Sequence, residues 1–97
     1  MALRTNGFRL GERLNHLDRH RLEYPWADQY DYEKCADEFL TRELTPQMLE
    51  CTRKNGDRIR YDTSTCEFGI VSAAGYIVTY FYRRNRGREY FERECRQ

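Results

Sequence analysis

The sequence predicts an α+β fold, with two N-terminal helices packed on a four-stranded antiparallel β-meander. Apolar residues recur at helical spacing up to about residue 42. The period then shortens to two, and the sheet is expected over about 48–82. Two turn signals, Asn55-Gly56 and Ala73-Ala74-Gly75, punctuate that second half.

A chain of 97 residues suits one core, so 1–97 is read as a single domain. The first helix is expected over 10–22, where Leu10, Leu14 and Leu17 recur at i, i+4 and i+7. His16 and His20 stand one turn apart on one face of it. Pro25 ends that helix. Asp28 then caps a second helix over 29–42, which buries Tyr32, Cys35, Ala36, Phe39 and Leu40. Thr45-Pro46 marks either one more helical turn or direct entry into a strand.

A two-residue loop at Asn55-Gly56 pairs Lys54 with Asp57, Arg53 with Arg58 and Cys51 with Arg60. A turn at 62–65 leads to a strand over 66–72. A three-residue loop with a left-handed Gly75 leads to the last strand, 76–82. Alternation then places Ile59, Tyr61, Phe68, Ile70, Val78 and Tyr80 on the core face. Arg53, Arg58, Arg60, Gly69 and Thr79 fall on the other. Residues 83–97 are expected as a basic tail, with a mobile Arg-rich loop at 83–88 and room for a short helix or turn at 89–96.

Charged residues make up 34% of the chain and hydrophobic residues 39%, but 14% aromatics favour a compact core over disorder. The net charge is +1, yet residues 1–50 carry −3 and residues 51–97 carry +4. Such polarity suggests an anion-facing side. Cys35, Cys51, Cys66 and Cys95 form no C-x-x-C and fit no zinc signature, so neither a metal nor a cofactor is expected. They are read as free thiols, with Cys35 and Cys66 in the core. No apolar run is long enough for a membrane span, so no membrane partner is expected. The N-terminal residues have no secretory character, so a protein acting outside its own cell would need another means of delivery. Nucleotide-binding loops, the G-x-S-x-G elbow and H-E-x-x-H are absent.

Directly opposed Arg53 and Arg58 would repel by up to ~1 kcal/mol, unless an anion lay between them. Arginine binds phosphate through two parallel, charge-assisted hydrogen bonds. Gly69 would let a ligand approach the sheet, and Thr79 would add a hydroxyl beside it. Histidine as a residue type exchanges protons near neutral pH. Together these groups suit cleavage of RNA without metal: a 2′-hydroxyl attacks phosphorus, the 5′-oxygen departs with a proton, and cations steady the phosphoryl charge. The same residues also fit a solvated helix face and an ordinary polar strand face.

Three stretches in order resemble a known family: Arg53-Lys54-Asn55-Gly56-Asp57-Arg58-Ile59-Arg60-Tyr61-Asp62, Glu67-Phe68-Gly69-Ile70-Val71, and Gly75-Tyr76-Ile77-Val78-Thr79-Tyr80-Phe81. His16-Leu17-Asp18-Arg19-His20 and Tyr32-Glu33-Lys34-Cys35-Ala36-Asp37-Glu38-Phe39-Leu40 precede them. This ordered set resembles the small ribonuclease toxin domains of the barnase/EndoU/colicin/RelE-like class, which end bacterial polymorphic and contact-dependent inhibition toxins. Leu17 stands where the family has an aromatic residue, and Tyr82-Arg83 where it has Lys-Pro. The resemblance implies an endoribonuclease that cleaves tRNA or other RNA. It implies delivery as an effector into a target cell's cytoplasm, and a cognate immunity or antitoxin protein. It casts His16 or His20 as general base or acid, Arg53 and Arg60 as phosphate clamps, and Thr79 as a substrate-orienting hydroxyl. Arg58, Lys54 and Tyr80 would contact substrate around them.

Two other readings share these features. One is a non-catalytic nucleic-acid or protein-binding module, such as a phage or plasmid adaptor. The other is a stand-alone RelE-like toxin that cuts mRNA on the ribosome.

Overall fold

The computed structural model describes residues 2–97. It is an α+β fold with three helices and a four-stranded antiparallel sheet. Helix α1 spans Glu12–His20 and continues into one 3-10 turn at Arg21–Glu23. It begins later than the leucine spacing predicts, because Gly11 just before it is left-handed with φ 84°. Leu10 is therefore fully exposed and Leu14 is 43% exposed, while His16 and Leu17 face inward.

Helix α2 spans Gln29–Thr41. The Asp28 carboxylate accepts from the backbone N–H groups of Tyr30 and Asp31, the N-cap that its residue type predicts. Tyr32, Ala36, Phe39 and Leu40 are buried as their spacing requires, but Cys35 is only half-buried. The chain then turns at Thr45-Pro46 and enters a strand directly.

The strands are β1 (Met48–Thr52), β2 (Arg58–Asp62), β3 (Glu67–Val71) and β4 (Ile77–Tyr82), paired in that order. Within the basic tail, the room for a short helix at 89–96 is filled by helix α3, Gly87–Cys95, which packs on the sheet and begins two residues earlier. One sheet face lies under α1 and α2, where Leu17, Tyr32, Phe39 and Leu40 meet Val71, Ile77 and Tyr80. The other lies under α3, where Phe91 meets Ile59, Tyr61, Phe68 and Ile70. The predicted core face thus splits. Ile59, Tyr61, Phe68 and Ile70 pack on α3, Tyr80 packs on the helices of the opposite side, and Val78 is 42% exposed.

A bulge in β4 causes the split, and a separate one-residue shift in the first hairpin parts Arg53 from Arg58. The first hairpin closes with three loop residues, since the Arg53 N–H donates to Asp57 O and Gly56 adopts φ 94°. A left-handed glycine after a turn is the usual form of a three-residue loop. Thr52, not Arg53, then pairs with Arg58, and Cys51 pairs with Ile59. The second hairpin does close with three loop residues, as the Ser72 N–H donates to Tyr76 O. A bulge then inserts Val78, so Ile70 faces Thr79 and Val71 faces Ile77. The N-terminal segment lies beside this bulge: Phe8 bridges Ile77 in parallel, and the Ile77 N–H donates to Gly7 O.

Free thiols account for only half of the cysteines. Cys35 and Cys66 are free, whereas Cys51 and Cys95 form a disulfide between β1 and α3. No helix is long and apolar enough to cross a membrane among the described residues.

Candidate active site

The predicted arginine clamp is not assembled. With the hairpin register shifted by one, Arg53 points to the α3 side, and Arg58 and Arg60 point to the α2 side. Arg53 donates to Glu94 O and to the Glu94 carboxylate at 2.8 Å each, and pairs with Asp57 at 3.3 Å. Arg60 is buried, donating to Phe39 O at 3.0 Å, to Arg42 O at 2.6 Å and to the Glu50 carboxylate. Arg58 donates to Leu40 O and Glu50. Burial opposes ionisation of Glu50, but hydrogen bonds from Arg60 and Arg58 overcome it and hold the carboxyl below its ordinary range. Arg58 and Arg60 therefore cap the carbonyl end of α2 and tie it to the sheet. Gly69 offers no approach to a ligand, since a Cβ there would sit 3.1 Å from Leu40 and 3.3 Å from Phe39.

Other predicted site residues also carry structural roles. Tyr80 is 1% exposed, and its hydroxyl donates to Glu67 at 2.6 Å. Burial, and then the Glu67 charge, push its pKa upward. Lys54 is exposed at the tip of the first hairpin. That hairpin joins β1 and β2, whereas α1 touches β4 at the other edge, roughly 14 Å across the sheet.

The two histidines have separate environments. His16 is buried and stacks on Phe8, with ring centroids 5.1 Å apart. Its Nδ1 is buried without a hydrogen-bond partner, and its Nε2 lies 3.7 Å from the Glu12 carboxylate. Burial first, and then Arg19, hold its pKa below the ordinary histidine value.

His20 leans on β4. Its ring stacks on Phe81 with centroids 4.9 Å apart and planes within 12°. Its Nδ1 lies 2.7 Å from a Glu23 carboxylate oxygen. Glu23 bonded this way sets the imidazole's orientation and favours the tautomer with the proton on Nδ1. No hydrogen bond engages Nε2 among the described residues. The other Glu23 oxygen accepts from the Tyr82 N–H at 2.8 Å, and Glu23 O accepts from the Arg84 guanidinium at 3.1 Å. Glu23 thereby fastens the end of α1 to the end of β4.

Basic and aromatic groups surround this pair. Arg84 lies over the Tyr82 ring at 4.9 Å, and Arg83 over the Tyr90 ring at 4.3 Å. Tyr24 and Tyr82 stack with parallel planes, 5.5 Å between centroids. Neither Arg83 nor Arg84 has a carboxylate within ion-pair distance among the described residues, unlike Arg53, Arg58 and Arg60. Thr79, Phe81 and Arg83 follow one another at alternate positions from β4 onward, so Thr79 shares the strand face of the ring under His20. Of the predicted residues, then, His20 and Thr79 are brought to one region, and His16, Arg53, Arg58, Arg60, Lys54 and Tyr80 are not.

The sequence reading missed Glu23, Tyr24, Phe81, Tyr82, Arg83 and Arg84 as site residues. The i, i+3 spacing of His20 and Glu23 at the end of a helix was the available signal. No group of three or more His, Cys, Asp or Glu positioned to hold a metal ion occurs among the described residues. No family model matches the chain, and no curated protein matches it.

Proposed function

We propose that the protein is an endoribonuclease that works without metal, with its reacting centre at His20 rather than at the arginines of the first hairpin. The observation that carries this reading is the His20–Glu23 pair at 2.7 Å with Arg84, which has no carboxylate partner among the described residues, donating to Glu23 O; Arg83 follows Phe81 on its strand face and lies on the Tyr90 ring. In the reaction, His20 Nε2 takes the proton of a 2′-hydroxyl. The 2′-oxygen attacks the adjacent phosphorus and displaces the 5′-oxygen, which water protonates. Arg83 and Arg84 steady the charge on the phosphoryl oxygens, and the exposed Tyr24 ring, backed by Tyr82, receives a base. Thr79 orients the substrate from the same strand face. The products are a 2′,3′-cyclic phosphate and a 5′-hydroxyl. The reading extends to tRNA or another RNA of a target bacterial cell as substrate, and to an immunity protein that covers the arginines.

The test is incubation of the purified chain with total RNA in EDTA, with end-group analysis of the fragments. Cleavage to cyclic phosphate ends is expected for the wild type and for His16→Phe, but not for His20→Gln. Equal cleavage by a folded His20→Gln variant would overturn the assignment. The stacked tyrosines and the unpaired arginines also favour a second reading, an RNA-binding module without turnover. Salt-dependent RNA binding with no fragments would decide for it.

A further inference from the structure

At the end of the sheet away from His20, the tips of the two hairpins meet. Gly56 of the first packs against Ala73 of the second, where a Cβ on Gly56 would come within 2.6 Å of the alanine methyl. The N-terminal segment closes over them, with the Asn6 N–H donating to Gly75 O and its side-chain amide to Ala74 O, both at 2.8 Å. Between these parts and the end of α2 lies a cavity of about 360 Å³. No Asp or Glu lines it, but Arg4 and Arg58 do. The larger cavity beside α2, about 760 Å³, is lined instead by Glu33, Asp37 and Glu38 as well as by cations.

Several donors around the smaller cavity are uncommitted. Arg58 spends Nη1 on Leu40 O and Glu50, but its Nε and Nη2 make no hydrogen bond among the described residues. The Arg4 guanidinium and the Thr52 hydroxyl make none either, and neither carries an ion pair. Ser72 Oγ accepts from the Tyr76 N–H, which leaves its own proton to donate. The carbonyl end of α2 would repel an anion, but Arg58 already covers Leu40 O, and Arg60 covers Phe39 O and Arg42 O.

We propose that this cavity is a second anion site, which takes a phosphate group between Arg4, Arg58, Thr52 and Ser72. Two guanidiniums and two hydroxyls match a tetrahedral oxyanion, and the backbone that carries them is held before any ligand arrives, Thr52 and Arg58 by strand pairing, Ser72 by the second hairpin and Arg4 by the Asp37 carboxylate. The phosphate belongs either to an RNA chain laid over the molecule or to a free phosphorylated small molecule. Neither source requires cleavage at His20.

Titration of the whole chain with inorganic phosphate, at constant ionic strength and followed by amide NMR, tests this. Saturable shifts are expected at Thr52, Ser72 and Gly75. An Arg4→Gln/Thr52→Val double variant should weaken the affinity at least about tenfold. His20→Gln should bind phosphate as the wild type does, which separates this site from the ribonuclease reading. Competition by an unphosphorylated single-stranded deoxyoligonucleotide assigns the site to a nucleic-acid backbone, and competition by a 3′-mononucleotide alone assigns it to a free phosphomonoester. An absence of saturable shifts at these residues, equal affinity in the double variant, or competition by neither ligand would overturn the proposal.

Discussion

Cys51 and Cys95 join the first strand to the last helix, with Cα atoms 6.1 Å apart at a sequence separation of 44. Closing a loop of that length removes chain entropy from the unfolded state worth about 4 kcal/mol. A Cys51→Ser/Cys95→Ser variant should therefore lose about that much stability in urea denaturation, and dithiothreitol should lower the wild-type midpoint similarly. A midpoint indifferent to reductant would mean that the bridge does not form.

Replacing Arg60 should unfold the protein rather than disable its chemistry. Arg60→Met leaves two carbonyls at the end of α2 without their donor, and leaves the solvent-facing Glu50 carboxylate to Arg58 alone. Each carbonyl left without a donor costs about 1–3 kcal/mol. Thermal unfolding by circular dichroism should show the loss directly. Any fall in RNA cleavage should follow the unfolded fraction, whereas Arg84→Gln should lose activity while fully folded.

Acid should weaken the fold through His16. Burial, and then Arg19, keep its folded pKa below the ordinary value of about 6.5. The unfolded chain then binds the proton more readily, so this contribution is full above pH about 6.5 and drains away as pH falls toward the lowered folded value. His16→Phe, which keeps the stack on Phe8, should flatten the stability profile in that interval. Parallel profiles for the two proteins would show that the buried imidazole does not resist protonation.

Arg83 and Arg84 should carry the salt dependence of RNA binding. For single strands, each phosphate contact contributes about 0.7 to the slope of log affinity against log salt. An Arg83→Gln/Arg84→Gln variant should lose about 1.4 from that slope, measured with an uncleavable deoxyoligonucleotide. An unchanged slope would place the nucleic acid elsewhere on the surface.

What could be read without coordinates was mostly local. Asp28 before an amphipathic run marks the start of α2, and the switch to alternation after Met48 marks the sheet. Gly75 was rightly placed in its loop, with φ 91°. Two single-residue events escaped. Lys54 joins the loop of the first hairpin, and Val78 bulges from β4 where the N-terminal segment pairs with Ile77. Because side chains alternate, each shift moved a set of residues to the other face, and the arginine cluster dissolved with it. The candidate site was half visible. His20 and Thr79 stand out by residue type and order, but Glu23 acts across 59 residues to Tyr82, and no periodicity reports such a contact.

The order in which the layers are completed bears on biosynthesis. Ile59, Phe68 and Ile70 are covered by residues that translation adds after the whole sheet. A nascent chain can pair its four strands while one side of them is still bare and greasy. That interval exposes the polypeptide to holdase chaperones and to clumping with its neighbours until Phe91 seats.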